Sequence, residues 1–356
     1  MSNKVFLTGA GIVAPSGTDP ETHWKSMASG TNHIGKVPAE RFVVDEYAAT
    51  LAAVVPHDFR GAVEFGQREL QNLWAKGKEH VSAYQSYAWF YAVNTGQISI
   101  RHKFKGPSCV VVADHAGGLD VFGKAKSLLA AGTSAVVVGG VDGPICPWAW
   151  APNIASGRLS SSVRPDSAYL PFSPDATGAV LGEGGALLVA ETEESLERRG
   201  GPAPLAELAG TATGFGPTEQ SRTDGSALAA TIRRALDDAG LAPADIGVVL
   251  ADAAGQRDED ASEAAALADV FGAQQVPVTA PKAGYGRLLA GAGAVDVLTA
   301  CQIIVNKTIP PTPGVTEHLH NIDLVTDAPR QLDKLAVLVV ARGIGGFCSA
   351  AVITGT

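Results

Sequence analysis

The chain has 356 residues, of which 46% are hydrophobic and only 18% charged, with mean hydropathy +0.13; this supplies a large core and excludes a disordered polypeptide. Its 27 basic and 36 acidic side chains give a formal charge of −9, which disfavours nucleic acid as a partner but leaves room for an acidic protein docking on a local basic patch. No apolar run approaches the length of a membrane span, and the first residues lack the long apolar stretch of a signal peptide, so a cytoplasmic protein is expected. Cys109, Cys146, Cys301 and Cys348 form no CxxC pair, as suits a reducing compartment without a disulfide framework or zinc ribbon.

In chain order, a strand at Val5–Leu7 runs into Gly9-Ala10-Gly11-Ile12-Val13-Ala14, which fits the GxGxxA turn of a dinucleotide fold. Pro15 falls where the phosphate-binding helix should run, so a tight turn is expected there in place of a nucleotide site. A buried strand is predicted at Cys109–Ala113. A sharp turn at Asp114-His115-Ala116-Gly117-Gly118 follows, then an amphipathic helix from about Leu119 to Gly132, with Val121, Phe122, Ala125, Leu128 and Leu129 on its apolar side. Enzymes place a nucleophilic Ser or Cys at such elbows, where helix N-terminal amides favour negative charge. Here the apical residue is His115, which an ordinary packed histidine would also explain.

Further strands are predicted at Ala135–Val138, Ala186–Val189, Ile246–Ala251 and Leu335–Val340. Helices are predicted at Ser226–Ala239 and Glu263–Phe271, stopped by Gly240 and Gly272, and a weak helical pattern covers Leu205–Leu208. This alternation predicts an α/β protein with a parallel or mixed sheet covered by helices. Asp258-Glu259-Asp260 reads as a solvated turn. Glu317-His318-Leu319-His320 could present two imidazoles on one face of a strand, without a third ligand nearby.

Two glycine turns feed strands in the same way, Gly182-Glu183-Gly184-Gly185 and Gly343-Ile344-Gly345-Gly346. They hint at an internal duplication with halves of 1–198 and 199–356, although two such hairpins could also arise independently in a chain with 41 glycines.

Together these residues resemble the condensing-enzyme branch of the thiolase superfamily, and within it the chain-length factors, the β subunits of type II polyketide ketosynthases. The resemblance covers nearly the whole chain. It is clearest in the aromatic block from Ser82 to His102, in Ala116-Gly117-Gly118-Leu119-Asp120, in Gly139-Gly140-Val141-Asp142, in Tyr169-Leu170-Pro171-Phe172 and in Gly182–Ala186. It implies a five-layered αβαβα fold of two pseudo-symmetric halves, with no cofactor and no metal.

For chemistry the resemblance implies an absence. A working ketosynthase holds the acyl chain on a Cys and uses two His to stabilise the enolate of the decarboxylating malonyl thioester. The corresponding positions here are His115, Ala254 and Arg287, so no catalytic residue is expected. Most chain-length factors have Gln at the position of His115, and Cys348 stands where active synthases commonly have Asn.

The implied role is to pair with a ketosynthase α subunit and shape the tunnel for a polyketide chain carried by an acyl carrier protein. The implied tunnel positions are Val63, Gly66 and Leu70, spaced three and four apart on one helix face, and the implied interface block is Tyr84, Tyr87, Trp89, Phe90 and Tyr91. The alternative is a malonyl-carrier decarboxylase that uses His115 with Arg287. One departure is large: the family has a further helix and a sheet strand before the segment that begins at Gly61, whereas here Arg60 joins directly.

Overall fold

A computed structural model describes residues 4–56, 61–85, 90 and 92–356, with backbone only for 61–63. Nine strands form the main sheet: β1 (Val5–Val13), β2 (Ala135–Asp142), β3 (Gly184–Thr192), β4 (Ala206–Phe215), β5 (Val248–Leu250), β6 (Pro277–Thr279), β7 (Asp323–Leu324), β8 (Ala336–Arg342) and β9 (Phe347–Thr354). Their spatial order is β7-β6-β5-β8-β9-β4-β1-β3-β2. The helices that matter here are α1 (Gly61–Lys76), α2 (Ala92–His102), α3 (Gly117–Ala130), α4 (Ser226–Ala239), α5 (Arg257–Phe271) and α6 (Ala292–Asn306).

The two halves repeat one topology. β1 pairs antiparallel with β3, and β3 with β2; in the second half β4 pairs antiparallel with β9, and β9 with β8. The second half continues, with β5 parallel to β8 and β6 parallel to β5. The first half, among the described residues, stops at β2. β1 and β4 touch over two residue pairs, Phe6 with Glu207 and Leu7 with Ala206, which is where the halves join.

Helices α3 and α6 form the central layer. Gly293 to Ile304 of α6 are all buried, the pattern of a helix apolar all round and covered on every side. The stretch Leu289–Asn306 is therefore long and apolar enough to span a membrane, contrary to the sequence expectation, but its burial marks it as core. Helix α4 is amphipathic, burying Leu228, Ala229, Ile232, Ala235 and Leu236 against the second half of the sheet, and ends at Gly240 with φ +66° as predicted. The central layer packs backbone to backbone. A Cβ on Gly118 would lie 1.9 Å from the Ala290 carbonyl oxygen, one on Gly140 2.6 Å from the same oxygen, and one on Gly293 2.5 Å from Leu119 N.

Several sequence expectations change. Gly9–Val13 is a continuation of β1, and the turn comes later, closed by Ala14 and Gly17 through hydrogen bonds of 2.9 and 3.0 Å. Leu205–Leu208 opens β4, where Ala206, Leu208 and Gly210 alternate with half-exposed neighbours, a period of two. Cys109–Ala113 joins no sheet ladder among the described residues. Asp258–Asp260 is the first turn of α5, with Asp260 fully buried, because its carboxylate accepts from Phe172 N (2.8 Å) and Gly255 N (3.1 Å). Residues 317–320 form an irregular loop, and among the described residues no cluster of His, Cys, Asp and Glu is arranged to hold a metal.

Gly118→Ala is expected to destabilise the protein by about 2–3 kcal/mol through overpacking, seen as a lower urea midpoint at unchanged slope. Gly96→Ala, in α2 with nothing within 4 Å of its Cβ, is the control and should be neutral or slightly stabilising.

Candidate functional site

The turn before α3 is a strained elbow. Asp114 has φ +50°, Gly117 N donates to Asp114 O at 3.0 Å, and His115 projects from the apex. The Asp114 carboxylate accepts from Ile344 N at 2.5 Å, which ties the elbow to the glycine turn before β9. The structure brings His115, Ala254 and Arg287 together around one cavity of about 20 Å³, lined also by Asn153, Leu159, Leu181 and Leu289; His115, Asn153 and Leu289 also line the larger cleft beside β2. The small cavity has room for about one water.

Arg287 does not face this cavity as a free cation. Its Nη1 donates to Asp252 O at 2.9 Å, and its Nη2 lies 2.8 and 3.0 Å from the two Asp252 carboxylate oxygens. Arg342 N donates to Asp252 Oδ1 at 3.0 Å, and the Arg342 guanidinium lies 3.6 Å from Oδ2. Glu263 completes the cluster: its carboxylate accepts from Asp252 N (2.7 Å) and Ala253 N (2.9 Å) and lies 3.5 Å from Arg342. Burial would raise the Asp252 pKa, but Arg287 and Arg342 together hold the carboxyl well below the usual range. The Arg287 and Arg342 side chains stay cationic, because burial is outweighed by these carboxylates.

His115 is 12% exposed and neutral. Burial first, then the Arg287 charge, push its pKa down to about 4, against a smaller upward pull from Asp114. Arg287 Nε lies 3.5 Å from His115 Nδ1 as donor, which leaves the ring proton on Nε2, facing Asp114 at 3.8 Å. The histidine is thus held in one tautomer by a cation that cannot give up its proton. Such a group does not replace a thiolate, since it offers neither a sulfur nucleophile nor an accessible base. The buried thiols do not substitute: burial pushes Cys146 and Cys348 up to about 11 and Cys301 to about 12. Cys109 is exposed and lies outside the small cavity.

The expected tunnel and interface positions lie away from this centre. Gly66 is buried and Leu70 half-buried on α1, and neither lines the small cavity or the larger cleft beside β2; the Val63 side chain lies outside the described residues. Tyr84 and Phe90 are 66% and 55% exposed, whereas Tyr87, Trp89 and Tyr91 lie outside the described residues. Sequence reasoning misses Asp252, Arg342 and Glu263. The signal for Asp252 is a carboxylate placed directly after the apolar run Ile246–Ala251, where strand ends commonly carry function.

Beta-ketoacyl synthase family models match this chain: the N-terminal domain over residues 2–67 and 58–195, and the C-terminal domain over 205–316. Among solved structures, the ishigamide ketosynthase/chain length factor superposes with a TM-score of 0.90 at 21% identity over 99% of both chains. A ketosynthase in complex with its type II polyketide synthase acyl-carrier protein gives 0.91, also at 21% identity over 99% of both chains. The chain belongs to the beta-ketoacyl synthase family and has its thiolase-like fold. Within that family its close relatives are β subunits: the tetracenomycin polyketide synthase ketoacyl synthase beta subunit of Streptomyces glaucescens is 42% identical over 98% of both chains. The 3-oxoacyl-[acyl-carrier-protein] synthase 2 of Staphylococcus aureus is 26% identical, over 97% of this chain and 96% of its own.

Two outcomes follow from this geometry. Asp252→Ala leaves two guanidinium groups buried without their shared carboxylate and should cost about 3–5 kcal/mol in urea denaturation. The His115 pKa in the folded state lies below the ordinary histidine value of 6.5, so its stabilising contribution is complete above pH 6.5 and is lost as pH falls toward 4. Relative to His115→Gln, the wild type should therefore lose about 2–3 kcal/mol between pH 7 and pH 4, measured as paired denaturation curves.

Proposed function

We propose that this chain is the catalytically silent chain-length-factor subunit of a type II polyketide ketosynthase. It pairs with a ketosynthase α subunit, and the heterodimer extends acyl chains on an acyl carrier protein by decarboxylative condensation with malonyl units. The single observation that carries the silent role is the charge cluster: Arg287 is committed to Asp252, and no thiol lines the small cavity that His115, Ala254 and Arg287 share. The same commitment argues against a malonyl-carrier decarboxylase built on His115, because the cation it would need for the malonyl carboxylate already holds one.

The pairing surface we assign to the segment around α1 and α2. No residue of α2 is buried, and Trp74 (84% exposed), Tyr84, Phe90, Ile100 and Phe104 place large apolar side chains there in solvent. So much apolar surface in one segment is the signature of an interaction site. Val63, Gly66 and Leu70 are assigned as tunnel-lining positions, on the strength of the resemblance and of their common helix face. We divide the chain at 198/199, beside the gap between the two family matches, which end at 195 and resume at 205. A cytoplasmic location agrees with three buried free thiols and with burial of the long apolar stretch Leu289–Asn306.

Co-expression with the ketosynthase α subunit should give a 1:1 complex by size-exclusion chromatography with mass analysis, and a stable monomer would overturn the pairing. In that complex His115→Ala should leave condensation within about twofold of wild type. Gly66→Phe should shorten the product chain, read by mass spectrometry, and unchanged product length would remove α1 from the tunnel.

A further inference from the structure

Among the described residues, the first half of the sheet lacks the strand that the second half has in the pseudo-equivalent place. β8 is flanked by β5, and β5 by β6, all parallel. β2, the counterpart of β8, ends the sheet among the described residues, and beyond it lies a cleft of about 1260 Å³. The far wall of that cleft is residues 104–114, which include Cys109–Ala113, the counterpart of β6. The alignment to the tetracenomycin relative runs over 401 positions, 45 more than the chain has residues, and the N-terminal family match breaks at 58–67. The cleft therefore occupies the place that β5 holds between β8 and β6 in the second half.

β2 presents backbone groups to the cleft. Thr192 N donates to Ser134 O, and the β2–β3 register is unbroken, so residues 136, 138 and 140 bond to β3. The N–H and C=O groups of Ala135, Val137, Gly139 and Val141 point into the cleft. Val137 (41%) and Val141 (51%) are exposed on β2, and Val110 and Val112 (67%) on the opposite wall. An acyl chain would cover these valines but leave every peptide group without a partner; a peptide strand satisfies both.

We propose that an extended segment of the ketosynthase partner inserts here as a strand parallel to β2, completing the first half of the sheet; this rests on the pairing proposed above. The pseudo-equivalent β5, Val248-Val249-Leu250, is fully buried, so the occupant is apolar and β-branched. Charge sets its polarity. Lys105 and Lys124 line the cleft toward its outer end, and Asp114 and Asp142 line it at the elbow end, so the segment enters with an acidic N-terminal flank and leaves with a basic one. A second copy of this chain is a poor donor: among the described residues every strand is already paired within its own sheet, and the one unpaired apolar segment, Cys109–Ala113, is the wall of its own cleft.

The test is hydrogen–deuterium exchange on the full chain, free and in the purified complex with the ketosynthase α subunit. The amides of Val137, Gly139, Val141 and residues 110–112 should exchange at least tenfold more slowly in the complex. Val137→Pro deletes one N–H that faces the cleft and none that faces β3, and should weaken the complex about tenfold while the free chain melts as before. Should that variant fail to fold, Val141→Pro makes the same test. A benzophenone maleimide on the exposed Cys109 should cross-link to an apolar peptide of the α subunit. Unchanged exchange at these amides in a complex that does form overturns the inserted strand and leaves the pairing intact. Protection without any effect of either proline overturns it too, in favour of a partner face that merely covers the cleft. Protection in the free chain that rises with its concentration assigns the cleft to a second copy, and protection of the free chain by dodecanoate assigns it to an acyl ligand; either result overturns the proposal. Absence of any complex overturns the pairing itself.

Discussion

The ion pair between Arg287 and Asp252 holds the centre of this molecule in its present form. A carboxylate buried at the end of β5 is tolerable because one guanidinium takes both of its oxygens and a second lies beside them. That arrangement fixes the loop after β5, the turn around Gly286 and the end of β8 at one point. Through Nε it also sets the tautomer of His115 at the elbow of the other half. Where the family's active members need room for a thioester and two imidazoles, this chain has a packed charge cluster.

Around that centre the two halves close on glycine. The Ala290 carbonyl sits where side chains on Gly118 and Gly140 would otherwise be, so α3, β2 and the start of α6 meet at backbone distance. This contact lets the elbow of the first half reach the cluster of the second. By contrast, α2 buries no side chain, and Val110 and Val112 stand in solvent.

Much of the fold is legible in the sequence. Helix α4 has the expected bounds because its apolar residues recur at three and four and a glycine ends it. The glycine segment 343–346 is a turn before β9 as expected, whereas 182–185 is extended, with Gly184 and Gly185 already in β3; β3 and β9 hold the same place in each half. Gly9–Val13 reads as a turn yet forms strand, because glycines with β-branched neighbours suit either, and pairing with β3 decides between them. Cys109–Ala113 carries strand composition without a ladder, since a strand needs a neighbour and local sequence cannot supply one. Asp258–Asp260 reads as solvated because three adjacent acids usually are; two backbone amides, from Phe172 and Gly255, keep Asp260 inside.

By itself the sequence determined the family resemblance, the elbow with His115 at its apex, and the residues His115, Ala254 and Arg287. These are matters of residue identity and local spacing. The tertiary structure decided that Arg287 is paired with Asp252, that the small cavity beside His115 has room for about one water, and that among the described residues β2 is the edge of the sheet. Each of these depends on groups far apart in the chain, from 114 to 344 and from 252 to 342, whose electrostatic and hydrogen-bonding partners exist only once the halves have packed.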